Sequence, residues 1–236
     1  MRILSWNIHK GIGGRDRRYD LGRIIEVVES ESPDIVCLQE VDRNVARSNH
    51  EDQSRAIPER LGLAESIYQF NHRVKSGGYG NLVASRWGFL EVHQISLRIR
   101  RRKNRGAQLV TITTPRGPLL VVNWHLGLLE QERRRQVELL FEHRGFRRRL
   151  STPTIVIGDT NDWRNTFARG PLTRHGLRAL TEPSRGFRSF PAARPLLSID
   201  KAFACPRVSV DAVRIPRTPA TREASDHLPL VVDFDL

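Results

Sequence analysis

The chain is poor in cysteine. Only Cys37 and Cys205 occur among 236 residues, and neither belongs to a Cys-x-x-Cys pair. That excludes a disulfide framework or a thiolate zinc site as an organising device and leaves room for one long-range disulfide at most. No apolar run approaches the ~20 residues that a membrane span needs. The N-terminus enters a strand pattern at once and has no signal-peptide apolar stretch, so a cytoplasmic protein is expected. No linker rich in Pro, Gly or Ser divides the chain, and no repeat, low-complexity tract or heptad is visible. One domain over residues 1–236 is the expectation. Gly11-Ile12-Gly13-Gly14 opens no helix pattern, so it is a loop and no dinucleotide fingerprint.

Positive charge is abundant. Apolar residues make up 39% and charged residues 28%, which excludes a membrane protein and global disorder. The formal net charge is +13 and the pI about 11.1. Such an excess suits nucleic acid, an anionic membrane surface or phosphorylated substrates. An arginine-rich proteome yields the same excess with no partner implied. Arg98, Arg100, Arg101, Arg102, Lys103 and Arg105 crowd one segment. It reads either as a contact for phosphates or acidic headgroups or as a solvated hairpin turn. No protein partner is indicated.

Ile155-Val156-Ile157-Gly158-Asp159-Thr160-Asn161 organises the rest. Three β-branched residues predict a strand buried on both faces. Gly158 marks a tight turn or a close backbone approach. Asp159 and Asn161 then stand on the turn beyond, an acid and an amide held at a surface cleft. Strands are also predicted at Arg2 to Asn7, Asp34 to Gln39 with Glu40 at its end, Asn81 to Ser85 after a turn at Gly77-Gly78-Tyr79-Gly80, and Glu91 to Ile99 paired with it. Further strands are Ala107 to Thr114, Pro118 to Trp124, Ser198 to Ala204, Val208 to Ile215 and Leu228 to Phe234. Helices are predicted at Tyr19 to Ser30, Gln53 to Leu61 and Glu130 to Leu150, from apolar residues recurring at three- and four-residue steps. Arg133, Arg134 and Arg135 read as an exposed helix face. Trp163 to Pro195 and Pro216 to Ala224 read as irregular. Hairpins between helices argue against a doubly wound parallel sheet.

Polar groups collect at the strand ends: Asn7, Glu40, His125, Asp159, Asn161, Asp200, Asp226 and His227. Each alone reads as a turn residue or cap. His9 and Lys10, beside Asn7, could help bind phosphate but read more simply as a solvated loop pair. Together the carboxylates and amide make a hard, oxygen-rich set that favours Mg²⁺ or Mn²⁺ over zinc. The imidazoles add a base or a charge stabiliser. These parts suit attack of water on a phosphate ester.

Trp6-Asn7-Ile8, Leu38-Gln39-Glu40-Val41, Gly80-Asn81-Leu82-Val83-Ala84-Ser85-Arg86, Asn123-Trp124-His125-Leu126, Ile157-Gly158-Asp159-Thr160-Asn161, Ser198-Ile199-Asp200 and Ser225-Asp226-His227-Leu228-Pro229 follow in this order. They resemble the motifs of the endonuclease/exonuclease/phosphatase superfamily, which includes pancreatic deoxyribonuclease, abasic-site endonucleases, inositol polyphosphate 5-phosphatases and neutral sphingomyelinases. A closer likeness, through Asn7-Ile8-His9-Lys10-Gly11 and Asp159-Thr160-Asn161-Asp162-Trp163, is to small bacterial members of uncertain substrate. The resemblance implies a four-layered αββα sandwich, two mixed sheets with helices outside. It also implies roles. Asn7, Glu40 and Asp226 look like metal-site residues for Mg²⁺ or Mn²⁺. Asp159 resembles the group that orients or deprotonates the attacking water, and Asn161 its phosphate-contacting partner. His227 resembles the histidine on the scissile phosphate, and Asp200 the acid that orients it. His125 stands where the deoxyribonuclease branch has His and the abasic-endonuclease branch has Tyr. The implied activity is a metal-dependent phosphodiesterase, nucleic acid leading. The alternatives are a phospholipid or phosphoinositide phosphoesterase at anionic membranes and a non-catalytic binding module. None of the expected positions is lost, which weighs against the module.

Overall fold

The computed structural model describes residues 1–147, 151–168 and 170–236. In chain order the elements are β1 (Arg2–Asn7), α1 (Leu21–Glu31), β2 (Ile35–Arg43), α2 (Gln53–Arg60), β3 (Glu65–Val74), β4 (Gly77–Ser85), β5 (Phe89–Ser96), β6 (Gly106–Thr114), β7 (Gly117–His125), α3 (Glu130–Glu142), α4 (Arg144–Arg147), β8 (Thr154–Asp159), α5 (Pro171–Arg174), β9 (Arg178–Ala179), β10 (Asp200–Ala204), β11 (Ser209–Arg214), α6 (Pro219–Ala224) and β12 (Leu230–Asp235). One six-stranded sheet runs β11-β12-β1-β2-β4-β3 and the other β5-β6-β7-β8-β10-β9. Each is mixed: β1 and β2 pair in parallel, as do β7 and β8, and their other neighbours are antiparallel.

Alternation along the strands produces the layers. Ile155 and Ile157 point between the sheets, where they meet Ile3, Ile35, Val83 and Val121. Val156 points to the opposite face, under Val137, Leu140 and Phe141 of α3. Leu4 and Trp6 likewise face Leu21, Ile24 and Ile25 of α1. Three apolar layers therefore separate helix, sheet, sheet and helix, the four-layered αββα sandwich that the motifs imply. Strands buried on both faces explain the unbroken apolar runs. Each buried Ile, Val or Leu contributes about 1.5–3 kcal/mol through area removed from water.

Toward one end the inter-sheet layer becomes polar. Ser5, Gln39, Asn81, Gln108 and Asn123 are fully buried there. Gln39 Nε2 donates to Asn123 Oδ1 (2.8 Å) and Ser5 Oγ (3.1 Å). Asn123 Nδ2 donates across to the carbonyls of Leu38 and Leu82, each at 3.1 Å. Asn81 Nδ2 reaches the Gly106 carbonyl (3.0 Å), and Gln108 Nε2 the Ile67 carbonyl (2.7 Å).

Several local expectations are corrected. Glu65–Val74, over which no element is predicted, is an edge strand, half-buried, with Ile67 packed toward one core layer and Tyr68 toward the other. Its partner β4 starts at Gly77, so the glycines lie inside a strand. β5 pairs with β6 in the other sheet and not with β4. β2 continues past Gln39 to Arg43 through an irregularity between Leu38 and Val41, where Glu40 has φ +56°. The long helix stops at Glu142, because His143 turns extended (ψ 130°), and no basic residue occupies its last turn. The part of that helix expected over 148–150 lies outside the described residues. Arg133 is buried, not exposed: its guanidinium sits 3.5 Å from Asp162 and donates to the Leu128 carbonyl at 2.6 Å. Pro219–Ala224 is a helix capped by Thr218, whose side chain accepts from the Thr221 N–H. The stretch from Trp163 to Pro195 contains the short elements α5 and β9.

Candidate active site

The register brings three of the candidate residues into one row. His125 ends β7, Asp159 ends β8 and Asp200 opens β10, which runs the opposite way. His125 pairs with Asp159, and Asp159 with Asp200. Gly106 pairs with His125 on the other side, and Arg105, from the loop just before β6, reaches the His125 ring. Gly158 permits the parallel pair to close. Its φ is +141°, and a Cβ there would lie 2.2 Å from the Trp124 carbonyl oxygen.

The first sheet supplies the facing wall. Asn7 ends β1, Glu40 stands on the irregular part of β2, and Asp226 and His227 precede β12, which returns antiparallel to β1. Gly14 lets its loop press on this segment, since a Cβ there would lie 2.7 Å from Asp226 Cα. Asn7, Glu40, His125, Asp159, Asn161, Asp226 and His227 line one cleft with a volume of about 460 Å³. Asp200 lies just beneath, buried against His227.

Asp159 Oδ2 is the focus. Asn7 Nδ2 donates to it at 3.0 Å, His125 Nε2 lies at 3.4 Å and His227 Nε2 at 3.9 Å. Its other oxygen accepts from the Asn161 N–H at 2.9 Å, and Asn161 Nδ2 is held by the Leu126 carbonyl at 3.0 Å. Burial raises the Asp159 pKa to about 6, an effect to which Asp200 adds and which His227 opposes.

The two histidines differ. Arg105 Nη1 lies 3.2 Å from His125 Nδ1. A guanidinium only donates, so Nδ1 accepts and the proton sits on Nε2, toward Asp159. Burial and the Arg105 charge hold His125 well below the ordinary histidine range, hence neutral. His227 Nδ1 donates to Asp200 Oδ2 at 2.9 Å, and Ser189 Oγ donates to the same oxygen at 2.5 Å. Burial alone would lower the His227 pKa. The charge and hydrogen bond of Asp200, with Asp159 and Asp226, outweigh it and raise it to about 10. One imidazole is thus kept neutral and the other protonated.

Glu40 is paired with the Lys10 ammonium. Burial disfavours its charge, but the Lys10 ammonium and the Arg105 guanidinium overcome this and hold it well below the usual carboxylate range. Asp226 Oδ1 and Asp200 Oδ1 are buried without a hydrogen-bond partner among the described residues. His9 Nε2 lies 3.9 Å from Asp226. Lys10, Lys103, Arg105, Trp163 and Phe190 line the same cleft. The Phe190 ring sits 4.9 Å from that of His227. The sequence marks Arg105 only as part of a basic run and gives no sign of Phe190, because a strand register and a long loop bring them to the cleft. Lys10 was in view beside Asn7 but read as solvated.

Sheet ends that gather acids, amides and imidazoles between two mixed sheets define a class of αββα hydrolase folds. The chain belongs to the endonuclease/exonuclease/phosphatase family, whose sequence profile matches residues 4–227. It is 30% identical over 247 residues to the uncharacterized protein YbhP of Escherichia coli (strain K12), spanning 100% of this chain and 96% of that one. Its fold is shared by the mannosyl-6-phosphatase Bt3783 of Bacteroides thetaiotaomicron (TM-score 0.75, 18% identity, 100% of both chains). It is shared too by D. rerio TDP2 complexed with single-strand DNA product (TM-score 0.72, 18% identity, 100% of this chain and 99% of that one). Members of the family are divalent-metal-dependent hydrolases of phosphate esters. Among the described residues no helix is long and apolar enough to cross a membrane.

Proposed function

We propose that this protein is a Mg²⁺- or Mn²⁺-dependent phosphodiesterase with nucleic acid as its leading substrate class. The observation that carries the reading is the convergence of Asn7, His125 and His227 on one oxygen of Asp159. In this reading Asp159 takes the proton of the attacking water, and Asn161 contacts the phosphate. Asp159 is suited to the task because its raised pKa still leaves it ionised near neutrality. His227, held protonated by Asp200, offsets the charge that grows on the phosphoryl oxygens. Neutral His125 donates from Nε2 and orients Asp159.

Asn7, Glu40 and Asp226 would hold the metal. Their oxygen donors suit a hard cation, and the unpartnered buried Asp226 Oδ1 is an acceptor that such an ion satisfies. Asp159, Asp200 and His227 place ligand atoms within 4.8 Å of one another and make a second candidate group. The metal supplies neutralisation of phosphate oxygen charge.

The test is a Mn²⁺-supplemented panel of plasmid DNA, abasic duplex, RNA, phosphoinositides and sphingomyelin. Wild type is expected to cleave a nucleic acid, and Asp159→Ala to abolish that with an unchanged circular dichroism spectrum. Equal activity in the variant removes Asp159 from its role. The exposed Leu128, Leu129, Leu196 and Leu197 favour a second reading, a phospholipid or phosphoinositide substrate at an anionic membrane. Flotation with anionic vesicles decides it: no retention removes the lipid reading.

A further inference from the structure

We infer that Lys10, Lys103 and Arg105, gathered around Tyr79, form a second anion pocket beside the reaction centre, which takes a phosphate of the substrate other than the one cleaved: the neighbouring phosphate of a single nucleic-acid strand. This rests on the phosphodiesterase reading and specifies its substrate.

Tyr79 lies on β4 with its ring almost wholly buried. Lys10 Nζ and the Arg47 guanidinium carbon each lie 5.5 Å from the ring centroid, and Lys103 Nζ lies at 6.0 Å. Arg47 is accounted for by Asp42, to which it donates from Nε (2.8 Å) and Nη2 (2.7 Å). Lys10 shares Glu40. Among the described residues Lys103 and Arg105 make no direct ion pair. Arg105 is only 7% exposed, and its Nε has no hydrogen-bond partner. A buried donor without an acceptor is costly, and a buried cation more so, unless a ligand supplies the acceptor. The same positive field is felt at His72, whose pKa is lowered by burial and then by Lys103, Arg105 and Arg47.

The pocket suits an oxygen anion, because Lys103 and Arg105 Nε have no acceptor among the described residues and Lys10, shared with Glu40, adds a third cation. Lys10, Lys103 and Arg105 line the same cleft as Asp159 and His227, so one substrate can present a phosphate to each group. Trp163, 54% exposed, and Phe190 line that cleft as well. They offer faces on which unpaired bases stack, which favours a nucleotide strand over a phosphorylated headgroup.

Three substrates test it with Mn²⁺ present: the thymidine dinucleotide with one internal phosphodiester, and the same dinucleotide carrying a 5′- or a 3′-phosphate. Wild type is expected to prefer one phosphorylated form by about tenfold in kcat/KM, mainly through KM, the size of one charge-assisted contact. Lys103→Gln, on an exposed loop, is expected to lose at least about fivefold of that preference. Its log–log salt slope should fall by about 0.7 on the favoured substrate. Equal cleavage of all three by wild type, unchanged in Lys103→Gln, overturns the pocket and leaves the phosphodiesterase standing. Cleavage of none defeats the underlying reading, and the pocket with it. A preference for phosphatidylinositol 4-phosphate over phosphatidylinositol, with none among the dinucleotides, overturns the nucleic-acid assignment.

Discussion

His125, Asp159 and Asp200 stand on three adjacent strands of one sheet, buried and cross-tied. Lys103, Trp163 and Phe190, on the same cleft, come from loops, and Trp163 is largely exposed. The first set has its geometry dictated by a hydrogen-bonded ladder and cannot drift without breaking the sheet. Phe190 is tied by backbone bonds to Leu196 and Leu197, whereas Lys103 and Trp163 lie outside any strand ladder. Bond-making groups need positions fixed to fractions of an ångström, whereas substrate choice tolerates and profits from adjustable walls. On the proposed function, chemistry falls to the ladder and selection to the loops.

The largest test of that division is Asp200→Asn. The substitution keeps the shape and removes the charge that keeps His227 protonated, so kcat should fall by about 10²–10⁴-fold with little change in KM. A loss confined to KM would break the assignment. Next is Arg133→Met, which leaves Asp162 buried and unpaired beneath the Asn161 turn. Urea denaturation should show a loss of about 3–5 kcal/mol. A neutral result would mean that Thr166 Oγ1 and the Phe167 N–H, which donate to Asp162 at 2.9 Å each, suffice to hold it.

A comparable effect concerns pH. The folded state raises His227 above its unfolded value of about 6.5, so the native protein holds that proton longer. Its stabilisation is complete below about pH 6.5 and is lost as pH climbs through about 10. Metal-free protein should weaken across that window by up to about 1.4 kcal/mol per pH unit, and Asp200→Asn should flatten the slope. Smallest of all, Arg100→Ala and Arg102→Ala, exposed at the loop tip, should change stability by less than about 0.5 kcal/mol. A larger cost would show that the whole basic segment is structured.

Much of the arrangement is legible in the chain itself. Short apolar runs ending in Asn7, His125 and Asp159 mark strands whose polar termini share one edge, and the β-branched run at 155–157 marks a core strand. What is not legible depends on partners distant in sequence. Glu65–Val74 goes unpredicted because it is a half-buried edge strand, with Ile67 and Tyr68 packed toward different core layers. The glycines at 77–80 read as a turn because close packing against β3, where a Cβ at Gly80 would lie 1.8 Å from the Gln69 carbonyl oxygen, is invisible locally. Arg133 looks like its exposed neighbours Arg134 and Arg135 until Asp162 is placed beneath it. Arg105 belongs to a charge run by composition, and the start of β6 sets it beside His125.

The amide seam between the sheets carries one more consequence. Gln39 adjoins Glu40, and Asn123 lies two residues before His125, so the bond between their side chains spans the two halves of the cleft at its floor. Oily layers slide over one another at little cost, but directional contacts with matched partners do not. The seam acts as a key in a keyway: it sets the two slabs in a single alignment, so that half a reaction centre on each meets the other half without help from any loop.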